Sequence, residues 1–539
     1  MVDQAAPSEP SERGGRARRR SLAYRRADRD PSYPPDHVLA EVDGRVLDPG
    51  TALTVDGIVP RSTVYVGPRL VISADRDRDE VLGLLRDAAR PLGWRIELDR
   101  SYPESRVQGR TTGGQALGLS RCIIRVESTG AALAPDGWVL LQQARGAHGK
   151  SALRGVGLDH VLFVAPRAKR PFHESNPVPS STEFLGVPVD SYGTPGYGGR
   201  QPVAYVGPPP HRRPDSDFVA RRRPVVAILD TGCGEHEWLD DIVDTSVGLK
   251  VGGTTLDIGY TDAATDPEVG GDYVGPLDGG IDELAGHGTF IAGLVHQACP
   301  DADIVAWRAV NSSGPIVESD WTDALARVVE LVRRHAEGEP DGMPVDVLNL
   351  SSGYYHETPG DEELYDPTIR SLLETLGRCG TVVVCSAGND ATARPLYPAA
   401  FAPWDDAPAG PPADALPVLS VGAYNPNATV ALFSNTGPWV RCYEPGAAVL
   451  STMPKFQGGL QPSARTTAYK LVRESVDLDD FTSGFALWSG TSFAAPMLAG
   501  KVAAALLDSM PAPGTVEDRA AAVARGWSAV EQVSPVGPQ

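Results

Sequence analysis

An α/β fold built on a doubly wound, mostly parallel sheet is predicted for the larger part of this 539-residue chain, with a small α+β domain ahead of it. From Pro224 onwards, Val225 to Leu229 is a short continuous apolar run, and Val345 to Leu350, Val382 to Cys385 and Val418 to Ala423 repeat that largely apolar signature. Strands covered on both faces need such runs. Helical stretches, notably Trp321 to His335 and Thr368 to Gly377, alternate with them, as crossover helices of a parallel sheet do. Upstream, two strand–helix–strand passes point to a split βαβ domain.

Residues 1–35 are charged and poor in apolar side chains, with Arg13, Arg16, Arg18, Arg19, Arg20, Arg25, Arg26 and Arg29 in the first thirty. Blocks of like charge stay solvated, so a disordered tail is expected rather than a nucleic-acid or membrane tether. Arg25-Arg26 resembles a twin-arginine export signal, but no apolar stretch follows it, so no export signal is read there. Residues 36–166 form the α+β domain. Thr63 to Ser73 and Trp94 to Leu98 read as strands around a helix from Arg78 to Leu92, whose apolar residues Val81, Leu82, Leu85, Ala88, Ala89 and Leu92 keep helical spacing. Cys122 to Val126 and His160 to Ala165 read as strands on either side of a helix from Trp138 to Ala147.

Residues 167–223, rich in Pro, Gly and Arg and ending in Arg221-Arg222-Arg223, cannot supply continuous helix or sheet hydrogen bonds. They are expected to be an extended linker, open to nicking by peptidases. Residues 224–512 form the main domain, and 513–539 a C-terminal extension.

Apolar residues make up 41% of the chain, an ordinary value that allows a sizeable core. No window approaches the roughly 18 consecutive apolar residues of a membrane span, so a soluble, cytoplasmic protein is expected, with secretion as the alternative and with neither membrane nor nucleic acid as partner. The net charge is −20. Cys122, Cys233, Cys299, Cys379, Cys385 and Cys442 match neither a zinc spacing nor a disulfide framework, and small buried side chains are expected.

Four segments carry chemistry. Asp230 ends the buried strand Val225 to Leu229 and opens Asp230-Thr231-Gly232, a tripeptide that by itself also serves turns and helix caps. His287 stands between Gly286 and Gly288 at the head of the apolar run Phe290 to Val295; the glycines leave the imidazole uncrowded and let the chain turn sharply. Ser492 lies in Ser489-Gly490-Thr491-Ser492-Phe493-Ala494-Ala495-Pro496, before a stretch apolar nearly all round. Pro496 suits a first helical turn, which predicts Ser492 at a helix N-terminus, where the helix dipole favours an oxyanion. Asn389 follows the strand Val382 to Cys385 in Ser386-Ala387-Gly388-Asn389, positioned either to hold a turn or to donate its amide.

Together these segments resemble the subtilisin-like (subtilase) serine peptidases, in that family's order Asp, His, Ser, over roughly Val225 to Ser509. Val347-Leu348-Asn349-Leu350-Ser351-Ser352-Gly353 is similar to the family's substrate-binding strand. The resemblance implies a catalytic triad of Asp230, His287 and Ser492, with Asn389 in the oxyanion hole. It further implies a polypeptide substrate added as an extended strand along Leu350, Ser351, Ser352 and Gly353, with Ser386, Ala387 and Gly388 beside it. No cofactor is required. Calcium sites occur in the family, but the acidic stretch Asp257 to Asp272 lacks a regular ligand spacing, and a solvated loop is expected. Two insertions, Val251 to Glu283 and about Pro454 to Phe481, are expected to form surface loops.

The resemblance also implies that the N-terminal domain acts as an intramolecular inhibitor, removed by self-processing within about residues 166–223; a retained regulatory domain is the alternative. A catalytically silent peptide-binding module stays open as a second reading. A sedolisin-like acid peptidase is disfavoured by the presence of His287 and Asn389.

Overall fold

The computed structural model describes residues 31–536, apart from residues 32, 35, 56–58, 103–108, 112, 115, 128–131, 165–189, 197, 206, 275–276, 313, 359–366 and 405–411. Residues 1–30, which hold the arginine-rich tail, lie outside the described residues.

The N-terminal unit comprises β1 (Gly44–Leu47), β2 (Thr63–Ser73), α1 (Arg78–Ala89), β3 (Trp94–Leu98), β4 (Leu119–Val126), α2 (Gly137–His148) and β5 (Val156–Phe163). Its sheet runs β5–β2–β4–β3 with β1 also beside β2, all antiparallel, the strand order of a split βαβ unit. Asp77 caps α1 by accepting from the Asp79 and Glu80 N–H groups, and Asp136 caps α2 by accepting from Val139. Leu70, Ile72, Leu82, Leu85, Trp94, Trp138 and Leu141 fill the core between sheet and helices.

The second unit comprises β6 (Val225–Asp230), β7 (Val243–Asp244), α3 (His287–Ala298), β8 (Asp303–Arg308), β9 (Pro315–Val317), α4 (Glu318–Ala336), β10 (Val347–Leu350), α5 (Pro367–Arg378), β11 (Val382–Ser386), β12 (Val418–Tyr424), β13 (Cys442–Pro445), α6 (Thr491–Leu506) and α7 (Arg519–Val533). The sheet order is β7–β8–β6–β10–β11–β12–β13, every pair parallel. Along β6 the side chains alternate between two cores. Val225, Ala227 and Leu229 pack with α4 and α5 through Leu325, Val329 and Leu372. Val226 and Ile228 pack with α3 and α6 through Phe290 and Leu498. The chain leaves β6 for β7 and β8 on one side, then crosses to β10 on the other. The carboxyl end of β6 is therefore a topological switch point, where sheets of this kind bind ligands. Asp230 stands there.

The two units share a sheet edge. β5 pairs antiparallel with β9, Val161 opposite Val317, Leu162 opposite Ile316 and Phe163 opposite Pro315. On its other side Phe163 exchanges both backbone hydrogen bonds with Gly353 (2.9 and 3.0 Å). The last residues of the N-terminal unit thus lie as an added strand between two segments of the second. Arg121 strengthens the junction, donating to Ser319 Oγ and to Asp320 (2.5 Å).

Several regions differ from the sequence expectation. Of the expected linker, residues 165–189 lie outside the described residues. Its later part is pinned: Arg212 pairs with Asp303, Arg213 with Asp301, Arg222 with Asp346, and Arg223 with Asp215 and Asp301. Gln201 and Pro202 add to the strand Phe485–Trp488. Beyond residue 512, α7 is part of the fold, with Val523, Ala529 and Val530 buried in the core beside α6. The insertion before Ser492 carries an exposed hairpin (Arg465–Ala468, Leu471–Glu474), but Phe456 and Phe481 at its ends are buried. All six cysteines are free. Among the described residues, no helix is long and apolar enough to cross a membrane.

Candidate active site

Asp230 is fully buried at the end of β6. Its Oδ1 accepts from His287 Nδ1 (2.6 Å) and from the Thr231 N–H (2.8 Å), with Thr231 Oγ1 3.2 Å away. A carboxylate can only accept, so Nδ1 carries the hydrogen and Nε2 keeps the lone pair a general base needs. Nε2 is buried and has no hydrogen-bond partner among the described residues.

Both glycines beside His287 answer close approaches. Gly286 caps α3 in the left-handed region (φ 80°), and a Cβ there would lie 2.6 Å from the Met453 side chain. A Cβ on Gly288 would lie 2.0 Å from the Gly232 carbonyl oxygen. The two turns that carry Asp230 and His287 are pressed together at that point, which sets the distance between the side chains.

Ser492 is the second residue of α6 and almost fully buried. Pro496 sits in the second helical turn, not in the first as the sequence reading had it. The N–H that proline lacks would have bonded the Ser492 carbonyl. Ser351 Oγ donates to that carbonyl instead (3.2 Å) and accepts from Asn349 Nδ2 (3.0 Å). The proline therefore frees a carbonyl that fastens the serine turn to the segment after β10.

Asn389 follows β11, and its Oδ1 accepts from the Thr491 N–H (2.8 Å) and Thr491 Oγ1 (2.9 Å). This leaves Nδ2 as the end able to donate. Thr491 Oγ1 in turn accepts from the Gly388 N–H (3.0 Å). Beneath the turn, Asn435 accepts from the Asp390 and Thr392 N–H groups and donates to the Ala387 carbonyl (2.8 Å). A Cβ on Gly388 would meet Asn435 Nδ2 at 2.5 Å.

Ser492 Oγ donates to the Val164 carbonyl oxygen (3.0 Å), so its hydrogen is turned away from His287. Val164 follows directly on β5, the strand laid between β9 and Gly353. Of the expected substrate-contacting residues, Gly353 pairs with this strand and Ser351 holds the Ser492 turn. Leu350 is buried in the core, while Ser386 and Ala387 carry the chain from the buried end of β11 into the Asn389 turn.

Glu268 was not anticipated. It lies in the acidic insertion read as a solvated loop, yet it is buried among the site's turns. Its Oε1 accepts from Thr231 Oγ1 and from the Gly288 N–H (3.0 Å). Its Oε2 accepts from the Thr289 N–H (3.3 Å) and from Thr289 Oγ1 (2.5 Å). One carboxylate thus ties the residue after Asp230 to the two residues after His287. Burial raises its pKa, against the hydrogen bonds from Thr231, Thr289 and Gly288 that lower it. The Cys233 thiol nearby is pushed up by burial, which makes it a poor nucleophile.

Residues 221–525, more than half of the chain, match the model of the subtilase family. The chain belongs to that family. This subtilase is 25% identical over 235 residues to a thermophilic serine proteinase of Bacillus sp. (strain AK1), covering 41% of the chain and 48% of the relative. It is 26% identical over 292 residues to an intracellular serine protease of Paenibacillus polymyxa, covering 52% and 65%. The chain thus spans about half to two thirds of the length of these curated relatives. Fervidolysin from Fervidobacterium pennivorans, a keratinolytic enzyme related to subtilisin, matches 85% of this subtilase and 56% of its own chain at 18% identity, with a TM-score of 0.41.

Proposed function

We propose that the chain is a serine endopeptidase in which Asp230, His287 and Ser492 form the catalytic triad and Asn389 contributes to the oxyanion hole. The observation that carries this reading is the buried Asp230–His287 hydrogen bond of 2.6 Å, made on Nδ1 so that Nε2 keeps its lone pair. In the reaction, Ser492 Oγ attacks the substrate carbonyl carbon and its proton passes to His287 Nε2. Asp230 holds the imidazole in the required tautomer and stabilises the imidazolium. The oxyanion is met by Asn389 Nδ2 and the Ser492 N–H at the start of α6. His287 then gives its proton to the leaving amine. A water, deprotonated by the same nitrogen, attacks the acyl carbon, and as the bond to Ser492 Oγ breaks that proton returns to the oxygen, releasing the acid and the free serine. The substrate is a polypeptide bound as an extended strand.

The N-terminal unit acts on this reading as an intramolecular inhibitor that is also the first substrate. Its strand β5 adds to β9 and Gly353 as a peptide substrate would, and the Val164 carbonyl stands at Ser492 Oγ. The bond to be cut is Val164–Ala165, just upstream of the region, about residues 166–223, in which the sequence led us to expect processing. The serine hydroxyl bonds the carbonyl oxygen instead of facing its carbon, which describes the cleft plugged rather than reacting.

Incubation of the whole chain beside Ser492→Ala, followed by intact-mass analysis, tests the reading. The expected result is a new terminus at Ala165 in the wild type alone. A wild-type chain that stays whole, like the alanine variant, under conditions where a generic peptide substrate is also left uncut would overturn it in favour of a silent peptide-binding module.

A further inference from the structure

The strand that fills the cleft carries two buried polar side chains, Asp159 and His160, ahead of its apolar end. In Val156–Phe163, His160 precedes Val161, Leu162 and Phe163. Its Nδ1 lies 2.6 Å from Glu318 Oε2 and its Nε2 lies 2.8 Å from Glu357 Oε2. The His160 backbone N–H also donates to Glu318 Oε2 (3.0 Å). All three residues are buried, with side-chain exposure of 2%, 0% and 1%. Burial alone would lower the His160 pKa; the two carboxylates instead hold it up at about 10.

Both carboxylates belong to the second unit, and both are mounted on the segments that grip the strand. Glu318 follows directly on Val317, the last residue of β9 and the partner of Val161. Glu357 lies four residues beyond Gly353, the partner of Phe163. Two buried carboxylates facing one imidazolium are stable only as a set, because an uncompensated buried charge is costly. Glu318 Oε1, also buried, has no hydrogen-bond partner among the described residues, so the site holds unused acceptor capacity. His356, 3.6 Å from Glu357 through Nδ1, does not supply the missing positive charge. Its Nδ1 accepts the Thr358 N–H (3.0 Å), and burial pushes its pKa down to about 4. Tyr354 stacks on the His160 ring with centroids 4.6 Å apart, a flat wall suited to imidazolium or guanidinium.

We propose that Glu318 and Glu357 form an acidic subsite of the peptidase cleft. It selects substrates with a cationic side chain (Lys, Arg or protonated His) four residues before the one whose carbonyl meets Ser492. His160 occupies that subsite in the inhibited chain, and its departure leaves a pair of carboxylates for the next cation. The inference rests on the peptidase reading and adds a substrate class to it.

Internally quenched peptides spanning residues 157–168 test it, with His160 kept or changed as His160→Lys, His160→Ala and His160→Glu, each offered to the wild-type protein prepared from the whole chain. The expected kcat/KM falls from the lysine peptide through alanine to glutamate. Lysine should exceed alanine about ten- to a hundredfold, as the loss of a charge-assisted hydrogen bond implies. In the Glu318→Gln, Glu357→Gln double variant the lysine-to-alanine ratio should collapse to about one. Cleavage of all four peptides by the wild type at rates within about twofold overturns the subsite while leaving the peptidase intact. So does labelling of Ser492 by a fluorophosphonate with none of the peptides cut. No cleavage and no labelling overturn both. The peptide series on the wild type decides the matter even if the glutamine variants fail to fold.

Discussion

His160→Ala should unplug the cleft without touching the triad. The substitution removes both ring contacts, 2.6 Å to Glu318 and 2.8 Å to Glu357, and leaves two carboxylates buried without their shared cation. Breaking a buried charge pair in this way costs about 3–5 kcal/mol. Water entry favours the lower end, about 3 kcal/mol, or roughly a hundredfold in the closed-to-open equilibrium. The rate at which a fluorophosphonate labels Ser492 in the full-length chain reads that equilibrium directly, since the Val164 carbonyl must leave first. We expect His160→Ala to be labelled at least about tenfold faster than wild type, and His160→Lys to stay near wild type. The pH dependence has a definite sign. A histidine whose pKa is raised on docking contributes grip that is complete below its free value, near 6.5. That contribution is lost as pH rises through about 10. Burial opposes the charged form of Glu357, but its pairing with His160 holds it below its ordinary range, so it contributes grip above about pH 4.5 that is lost in acid. Closure should therefore be tightest between about pH 4.5 and 6.5. The ratio of wild-type to His160→Lys labelling rates should climb above it, a comparison that cancels the pH dependence of the labelling chemistry. Equal labelling of wild type and His160→Ala, with unchanged circular dichroism, would refute the reasoning.

Three further substitutions address the site itself. Asn389→Ala removes the Nδ2 donor and should lower kcat by roughly 10²–10³ with little change in KM, measured on a peptide the wild type cleaves. Ser351→Ala strips the Ser492 carbonyl of its acceptor role beside Pro496. It should destabilise the fold by about 1–3 kcal/mol, seen as a lower midpoint in urea unfolding. Gly288→Ala places a Cβ 2.0 Å from the Gly232 carbonyl oxygen; backbone must move at the Asp230–His287 junction, so cleavage activity should be lost even in whatever fraction folds.

Much of this was legible in the sequence because the signals are local. A strand covered on both faces has to be predominantly apolar, and β6, β10, β11 and β12 all coincide to within a residue or two with the apolar runs. The glycines around His287 are required by contacts with Met453 and Gly232, so their presence already pointed to a crowded turn. Contacts made across the fold were not legible. Glu268 sits in a stretch whose acidic composition belongs to a solvated loop. Only the meeting of the Thr231, Gly288 and Thr289 donors, far apart in sequence, shows that it is a buried acceptor. His160 read only as the first residue of a strand, since its meaning depends on Glu318 and Glu357, each more than 150 residues away. The arginines at 212–223 read as solvated linker because the aspartates that fix them, at 301, 303 and 346, come later in the chain. Pro496 was read by a rule for isolated helices, whereas Ser351 accommodates it one turn further in.

The most direct measurement is the mass shift of the full-length protein after exposure to a fluorophosphonate, for wild type, Ser492→Ala and His287→Ala in parallel. One adduct on the wild type, mapped to Ser492, is expected, with none on Ser492→Ala and labelling slowed by several orders of magnitude in His287→Ala. An unlabelled wild type, or an adduct that survives in Ser492→Ala, would contradict the assignment of Ser492 as the nucleophile.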